Sequence, residues 1–243
     1  MEETMAKCIN EMKMLLQGRQ HIVFFGGAGT STESGLKDFR GEEGLGKETL
    51  SPEVALSHDF FWKHTGRFYD YYRKNLLQKV SPNAAHRALA RLEGMGILDG
   101  VVTQNIDGLH QAAGSRKVVE LHGSVLRNFC TRCGRPYAVE EIRSGEGVPF
   151  CGCGGVIKPD VVLYGEMLKT KDMEAAAALI QGADLLIVGG TSLSVYPAAG
   201  FAANYRGPVI LMNKTVTPMD ARAALVIRHP IAAVFEALMA EIE

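Results

Sequence analysis

The chain has 243 residues, enough for one large hydrophobic core or for a large domain with a small one. Apolar residues make up 47% and charged residues 22%, an ordinary globular balance, and a net charge of −1 gives no overall field to recruit nucleic acid or an anionic membrane. The acidic start Met1-Glu2-Glu3-Thr4 is unlike a signal peptide and no apolar run approaches the ~18 residues of a membrane span, so a cytoplasmic location is expected, where clustered thiols stay reduced and bind metal rather than pair.

Met5, Cys8 or Ile9, Met12 and Leu15-Leu16 share one face of a helix over 3–17, closed by Gly18; Cys8 reads as a core residue. Residues 21–25 form an apolar run, the pattern of a strand covered on both faces, and lead into the turn Gly26-Gly27-Ala28-Gly29. Residues 41–50, glycine-rich and charged, read as a mobile loop. Residues 52–79, with Phe60, Phe61, Trp62, Phe68, Tyr69, Tyr71 and Tyr72, read as helical. Ser81-Pro82 offers an N-cap and a first-turn proline for a helix to about Glu93, ended by Gly94 and Gly96. Strands follow at about 98–103, 117–120, 184–189, 208–212 and 223–227, and helices at 107–113, 170–181, 197–204 and 230–242. Such alternation predicts an α/β fold with a doubly wound, Rossmann-like parallel sheet. Residues 124–158 break the rhythm. They hold four cysteines and many glycines, and read as a small zinc module inserted into the sheet domain. The expected division is a dinucleotide-binding domain over 1–40, 81–123 and 159–243, a helical insertion with a cofactor loop over 41–80, and the zinc-ribbon module over 124–158.

Gly27-Ala28-Gly29 after a strand lets backbone approach a pyrophosphate, with helix N–H groups aimed at it. Alone the signal is weak: Thr32 takes the sixth position of G-x-G-x-x-G, and no ribose-binding acid ends a second strand. A tight turn that binds nothing would look similar. Three polar strand ends make binding the better account. Thr103-Gln104-Asn105-Ile106-Asp107, Gly189-Gly190-Thr191-Ser192 and Asn213 each follow a strand, at the sheet edge where ligands bind in open parallel sheets. Taken singly, Asp107 and Ser192 could be helix N-caps.

Cys130-x-x-Cys133 and Cys151-x-Cys153 are separated by seventeen residues, the spacing of a zinc ribbon with its second knuckle one residue short. Gly152, Gly154 and Gly155 allow the tighter backbone this needs. Four thiolates fill a tetrahedral zinc ion and leave no open position, so the ion would be structural. A redox dithiol is the alternative. Arg127, Arg132 and Arg135 lie nearby, but no long basic and aromatic stripe marks a nucleic-acid surface.

Eight residues before the first cysteine, His122 stands in Leu121-His122-Gly123, outside the metal set. Here the chain resembles a sirtuin, the NAD-dependent protein lysine deacylase family, and most closely its bacterial branch. The matching segments run in family order: 27–40 (GAGTSTESGLKDFR), 103–110 (TQNIDGLH), 120–123 (ELHG), the cysteine pairs, 159–166 (PDVVLYGE) and 190–198 (GTSLSVYPA). The resemblance covers nearly everything from residue 21 on.

It implies an enzyme that consumes NAD and removes acetyl or another neutral acyl group from protein lysines, releasing nicotinamide and O-acyl-ADP-ribose. The acyl oxygen would attack the nicotinamide ribose, and His122 would then be the general base. Asn105 would be the second catalytic residue. Ala28, Gly29, Thr32, Phe39 and Arg40 would border the pyrophosphate and nicotinamide ribose. Gln104 would hold that ribose, and Asn105, Ile106 and Asp107 would shape the nicotinamide pocket. Gly190, Thr191, Ser192 and Asn213 would bind the adenosine half, with Ile231 closing over adenine. Val161, Leu163, Tyr164, Ser194 and Val195 would clamp an extended acyl-lysine peptide by strand addition. No nucleic-acid or membrane partner is implied. Three departures stand out. Lys37 replaces the usual proline and the second knuckle is short. The tyrosine–arginine pair of the acidic-acyl branch is here Tyr69 with Tyr72, Arg73 coming one later, which favours a neutral acyl group. The rival readings are a protein mono-ADP-ribosyltransferase on the same fold, a hydride-transferring NAD enzyme, and a zinc-ribbon binding module without catalysis.

Overall fold

The structure, a computed structural model, describes residues 2–38 and 50–242. Its elements in chain order are α1 (Glu2–Leu16), β1 (Ile22–Gly26), α2 (Pro52–Ala55), α3 (His58–Lys63), α4 (Thr65–Leu76), α5 (Ala84–Gly94), β2 (Leu98–Thr103), α6 (Leu109–Ala112), β3 (Val118–Glu120), β4 (Gly123–Cys130), β5 (Pro136–Ala138), α7 (Val139–Arg143), β6 (Ile157–Val161), α8 (Thr170–Gln181), β7 (Leu185–Gly189), α9 (Ala198–Asn204), β8 (Val209–Met212), β9 (Leu225–Ile227) and α10 (Ile231–Ile242). A six-stranded sheet runs β3-β2-β1-β7-β8-β9, with every pairing parallel. Renumbered without the small sheet, that is the 3-2-1-4-5-6 order of a Rossmann fold.

Alternation along β1 builds the two layers. Ile22 and Phe24 face a core made with Ile9 and Met12 of α1, Ala85, Leu89 and Leu92 of α5, and Val234, Phe235 and Leu238 of α10. Val23 and Phe25 face the other way, onto Ala176 and Ile180 of α8 and Ala198, Ala199 and Ala202 of α9. Cys8 packs at the margin of the first core, as its helical position predicts.

The helical insertion and the cysteine module share a third core. Phe61, Phe68, Tyr69 and Tyr72 pack with Val125, Ile142, Ile157, Val161 and two of the cysteines, Cys130 and Cys151. Phe61 meets Phe68 edge-on, with ring centroids 4.9 Å apart. The module carries an antiparallel sheet, β5-β4-β6, which no periodicity announced. Its strands fall between Gly123 and Val161.

Residues 52–79, read as helical, carry three helices. The first break falls at Ser57, which is extended and bridges Tyr164: Tyr164 N–H donates to Leu56 O and His58 N–H to Tyr164 O, both at 2.9 Å. The second break, at His64, also has non-helical backbone. The next helix does not start at Ser81-Pro82. Asn83 caps it, accepting from Ala85 N–H at 3.0 Å, while Asn83 N–H donates to His86 Nδ1 at 3.3 Å. Among the described residues no helix is long and apolar enough to cross a membrane.

Candidate functional site

β1 and β7 are neighbours from which the chain leaves in opposite directions, so a crevice opens between their C-terminal ends. Two glycine turns interlock there. Gly27 N–H donates to Gly189 O at 3.0 Å, Gly29 N–H to Gly190 O at 2.8 Å, and Gly190 N–H to Met212 O at 3.0 Å. A Cβ on Gly29 would stand 2.7 Å from Gly190 Cα, and one on Gly190, whose φ is +61°, 2.4 Å from Thr30 N. The glycines are therefore required first by backbone packing on backbone. The turn does not open an α-helix. Short 3₁₀ turns (Ala28–Thr30 and Thr32–Ser34) follow β1, because Gly29 and Thr30 N–H are already bonded and Gly35 turns left-handed at φ +91°. Ala28 and Gly29 remain half-exposed in the crevice, and Thr32 Oγ1 donates to Gly29 O at 3.1 Å.

The polar strand ends converge. Gln104 N–H donates to Gly26 O at 2.9 Å and its Nε2 to Thr191 Oγ1 at 2.9 Å, joining β1, β2 and β7 across the crevice. Asn213 is buried after β8, with Nδ2 on Thr215 O at 3.0 Å. Ser192 and Ser194 are exposed with their Oγ atoms 2.6 Å apart, flanking Leu193, a buried residue in left-handed conformation at φ 54°. Neither Ser192 nor Gly190 caps a helix, for α9 starts at Ala198. Gly108, not Asp107, is the N-cap of α6, though Asp107 Oδ1 accepts from Leu109 N–H at 2.9 Å.

Behind the first turn lies a buried network that sequence reasoning missed. Ser31 Oγ donates to Asp107 Oδ2 at 2.7 Å, accepts from Asn105 Nδ2 at 3.0 Å, and stands 3.4 Å from His86 Nε2. Asn83 Nδ2 holds Thr30 O at 2.8 Å. Burial lowers the pKa of His86 to about 4 against the upward pull of Asp107. His110 packs on His86 with centroids 4.8 Å apart, and burial lowers its pKa to about 3. The sequence expectation places the start of α5 at Ser81-Pro82, and the tie of His86 to Ser31 joins residues more than fifty positions apart.

His122 occupies the two-residue crossover from β3 to β4, between the large sheet and the small one. Leu121 N–H donates to Thr103 O and Val162 N–H to His122 O, both at 3.0 Å. Gly123, at φ +76°, lies so close to Asp160 O that a Cβ would sit 1.9 Å away. The imidazole Nδ1 is 2.9 Å from Gln104 O, an acceptor, so Nδ1 carries the proton and Nε2 the basic lone pair. Burial lowers the His122 pKa, and the bond to Gln104 O opposes that. Among the described residues the ring belongs to no group that could hold a metal.

Val161 and Leu163 are buried in the third core, and Tyr164 packs half-buried against it, its main chain already held by Leu56 and His58. Ile106 packs against the same core. Val195 is half-exposed, while Ile231 is buried at the start of α10, 3.5 Å from where a Gly189 Cβ would stand. Phe39, Arg40 and the cofactor loop up to residue 49 lie outside the described residues. Tyr69 donates its hydroxyl to Ile157 O, and Arg73 Nε donates to Ile142 O at 2.8 Å. Both thus reach main-chain carbonyls of the small module.

The four cysteine Sγ atoms lie within 4.8 Å of one another, with 3.4 Å from Cys130 to Cys153 and 3.6 Å from Cys133 to Cys151. A tetrahedral zinc with bonds of about 2.3 Å sets its sulfurs about 3.8 Å apart, so the donor set fits. Main-chain N–H groups of Arg132 and Cys153 point at Cys130 and Cys151 Sγ, at 3.3 and 3.5 Å. Of the three knuckle glycines, Gly154 is needed for its φ of +83° and Gly155 for space, since a Cβ there would stand 2.6 Å from Cys130 Sγ; Gly152 has open space.

The sequence model of the Sir2 family matches residues 27–197. The chain belongs to the Sir2 family. A Clostridium tetani protein named NAD-dependent protein deacetylase is 48% identical over 239 residues, covering 95% of this chain and 97% of its own length. A Clostridium perfringens protein of the same name is 51% identical over 231 residues, 92% of this chain and 95% of its own. A solved Sir2 structure with a p53 peptide and NAD⁺ superposes with a TM-score of 0.86 at 37% identity, covering 96% of this chain and 98% of that one. Another Sir2 structure, with a deacetylated p53 peptide and 3′-O-acetyl ADP-ribose, has a TM-score of 0.89 at 37% identity, with the same coverage.

Proposed function

We propose that this Sir2 protein is an NAD-dependent protein lysine deacetylase that acts on acetyl-lysine, or another neutral acyl-lysine, in extended peptides. The observation that carries the reading is His122: a half-buried imidazole on the crevice rim whose tautomer leaves Nε2 basic. NAD, as co-substrate, supplies the ribose carbon that takes up the acyl group. Gly29, Ala28 and Thr32, with Phe39 and Arg40, border its pyrophosphate. Gln104 holds the nicotinamide ribose, and Asn105, Ile106 and Asp107 shape the nicotinamide pocket, Asn105 being fixed there by Ser31. Gly190, Thr191, Ser192 and Asn213 take the adenosine half, with Ile231 beneath it. Val161, Leu163, Tyr164, Ser194 and Val195 flank the peptide. His122 removes a ribose hydroxyl proton after nicotinamide has left. The commitment of Tyr69 and Arg73 to backbone carbonyls supports a neutral acyl group.

Zinc on Cys130, Cys133, Cys151 and Cys153 is structural; it does no chemistry. The nucleotide domain comprises 1–40, 81–123 and 159–243, the helical insertion 41–80 and the zinc module 124–158, with the last two sharing one core. A reducing, cytoplasmic location suits four clustered thiolates that hold a metal rather than pair as disulfides.

The test is incubation with NAD and an acetyl-lysine peptide. Free nicotinamide and acetylated ADP-ribose are expected, and a peptide carrying ADP-ribose would establish transfer instead. His122→Ala should keep NAD binding and lose about 10²–10⁴-fold in turnover. Turnover near the wild-type rate would refute the assignment.

A further inference from the structure

Arg127 lies in β4, five residues after His122, and one guanidinium spans both sheets. Its Nη1 donates to Glu120 Oε2 at 2.7 Å and its Nε to Asp160 Oδ2 at 2.9 Å. Glu120 is the last residue of β3 in the large sheet, and Asp160 belongs to β6 in the small one, paired with Ser124. The carboxylates are sheltered, with side chains 8% and 16% exposed, while the arginine side chain is 53% exposed. Lys169 also pairs with Asp160.

Between these two anchors runs the crossover that carries His122. Its main chain has one hydrogen bond to each sheet, through Leu121 to Thr103 and through Val162 to His122, and its ring has one, to Gln104 O on the large-sheet side. Any rotation of the small sheet against the large one must strain one of these bonds. Gly123 is already in tight contact with Asp160 O, so movement of β6 passes directly to the residue after His122. The planar fork of an arginine suits such a bridge, because it holds two carboxylates in fixed geometry where an ammonium acts as a point charge.

We propose that Arg127 is a positioning residue for the general base: by tying Glu120 to Asp160 it fixes the crossover, and hence the His122 imidazole, against the sheet that carries the peptide-flanking residues. The proposal rests on His122 being the base. Misplacing a reacting group by about 1 Å can cost about 10²-fold in rate, so a remote tie can matter to turnover without touching substrate.

Because His122 acts after nicotinamide has left, the two halves of the reaction separate the roles. Arg127→Ala is expected to slow deacetylated-peptide formation about tenfold or more, while exchange of labelled nicotinamide into NAD and the KM for NAD stay within about twofold. Arg127→Lys should recover part of the loss. Glu120→Gln with Arg127→Met removes the carboxylate left unpaired, so this double variant should melt near wild type yet still form peptide slowly; it also covers the case in which the single variant does not fold. Wild-type peptide formation in Arg127→Ala, an equal fall in both half-reactions, or recovery of rate in the double variant would each overturn the proposal. His122→Ala assayed in parallel tells the two failures apart. If it is active, the base assignment fails and this inference with it. If it is inactive while Arg127→Ala is normal, only the inference fails.

Discussion

Burial acts on three histidines with different consequences. At His122 it lowers the pKa below 6.5, and the hydrogen bond to Gln104 O only partly opposes this. A base must be unprotonated, so the rate should hold at neutral pH and fall only as the pH drops through a value under 6.5; a kcat profile whose acid limb lies above 6.5 would contradict that environment. At His86 and His110 burial goes further, to pKa values of about 4 and about 3. Both titrate near 6.5 in the unfolded chain. Between 6.5 and those values the unfolded state binds more protons, so stability is full above 6.5 and lost as the pH falls towards 4 and 3. The slope is about 1.4 kcal/mol per pH unit for each histidine. His110 ring nitrogens have no hydrogen-bond partner among the described residues. His110→Leu should therefore retain stability at pH 7 and remove one histidine's share of the acid slope, measured as melting temperature from pH 7 to 4.5. An unchanged slope would mean that His110 is not the titrating group.

The start of α5 shows how an element's end becomes part of a site. Asn83 Oδ1 caps the helix while Asn83 Nδ2 holds Thr30 O, next to Ser31. Asn83→Ala should cost about 1–2 kcal/mol, or about 2–8 °C in melting temperature, and should weaken NAD binding. Asn83→Asp keeps the cap and loses the donor, so it should melt near wild type and still bind NAD more weakly in calorimetry; equal NAD affinity in both variants and wild type would separate the cap from the site. The elements that position the crevice were legible because they are local. β1, β7 and β8 are apolar on both faces, and their glycine and polar ends follow directly in sequence. Ser57 could not be read as a helix break, since Tyr164, more than a hundred residues away, makes it one. The small sheet escaped for the same reason: β5 has three residues, and β4 meets β6 across a register shift with no alternating pattern. The Ser31, Asn83 and His86 network looked like three ordinary polar residues until the fold joined them.

At the scale of the whole molecule, the cysteine cluster and the helical insertion cannot be separated, because Cys130 and Cys151 belong to the same apolar core as Phe61, Tyr69, Tyr72, Val161 and Leu163. Structural zinc in a module this small holds the fold outright, so losing it should release more than the knuckles. Tyr69, bonded to Ile157 O, would lose its partner, and the Val161–Tyr164 segment beside His122 would lose its support. The six-stranded sheet has its own two cores and no cysteine ligand, so it should outlast the module. Elemental analysis should find one zinc per chain. Stepwise chelation should abolish deacetylation in proportion to the metal removed and change the near-ultraviolet signal of the buried tyrosines, while most of the far-ultraviolet signal persists. Full activity after stoichiometric metal removal would show instead that the four thiols hold this core without an ion.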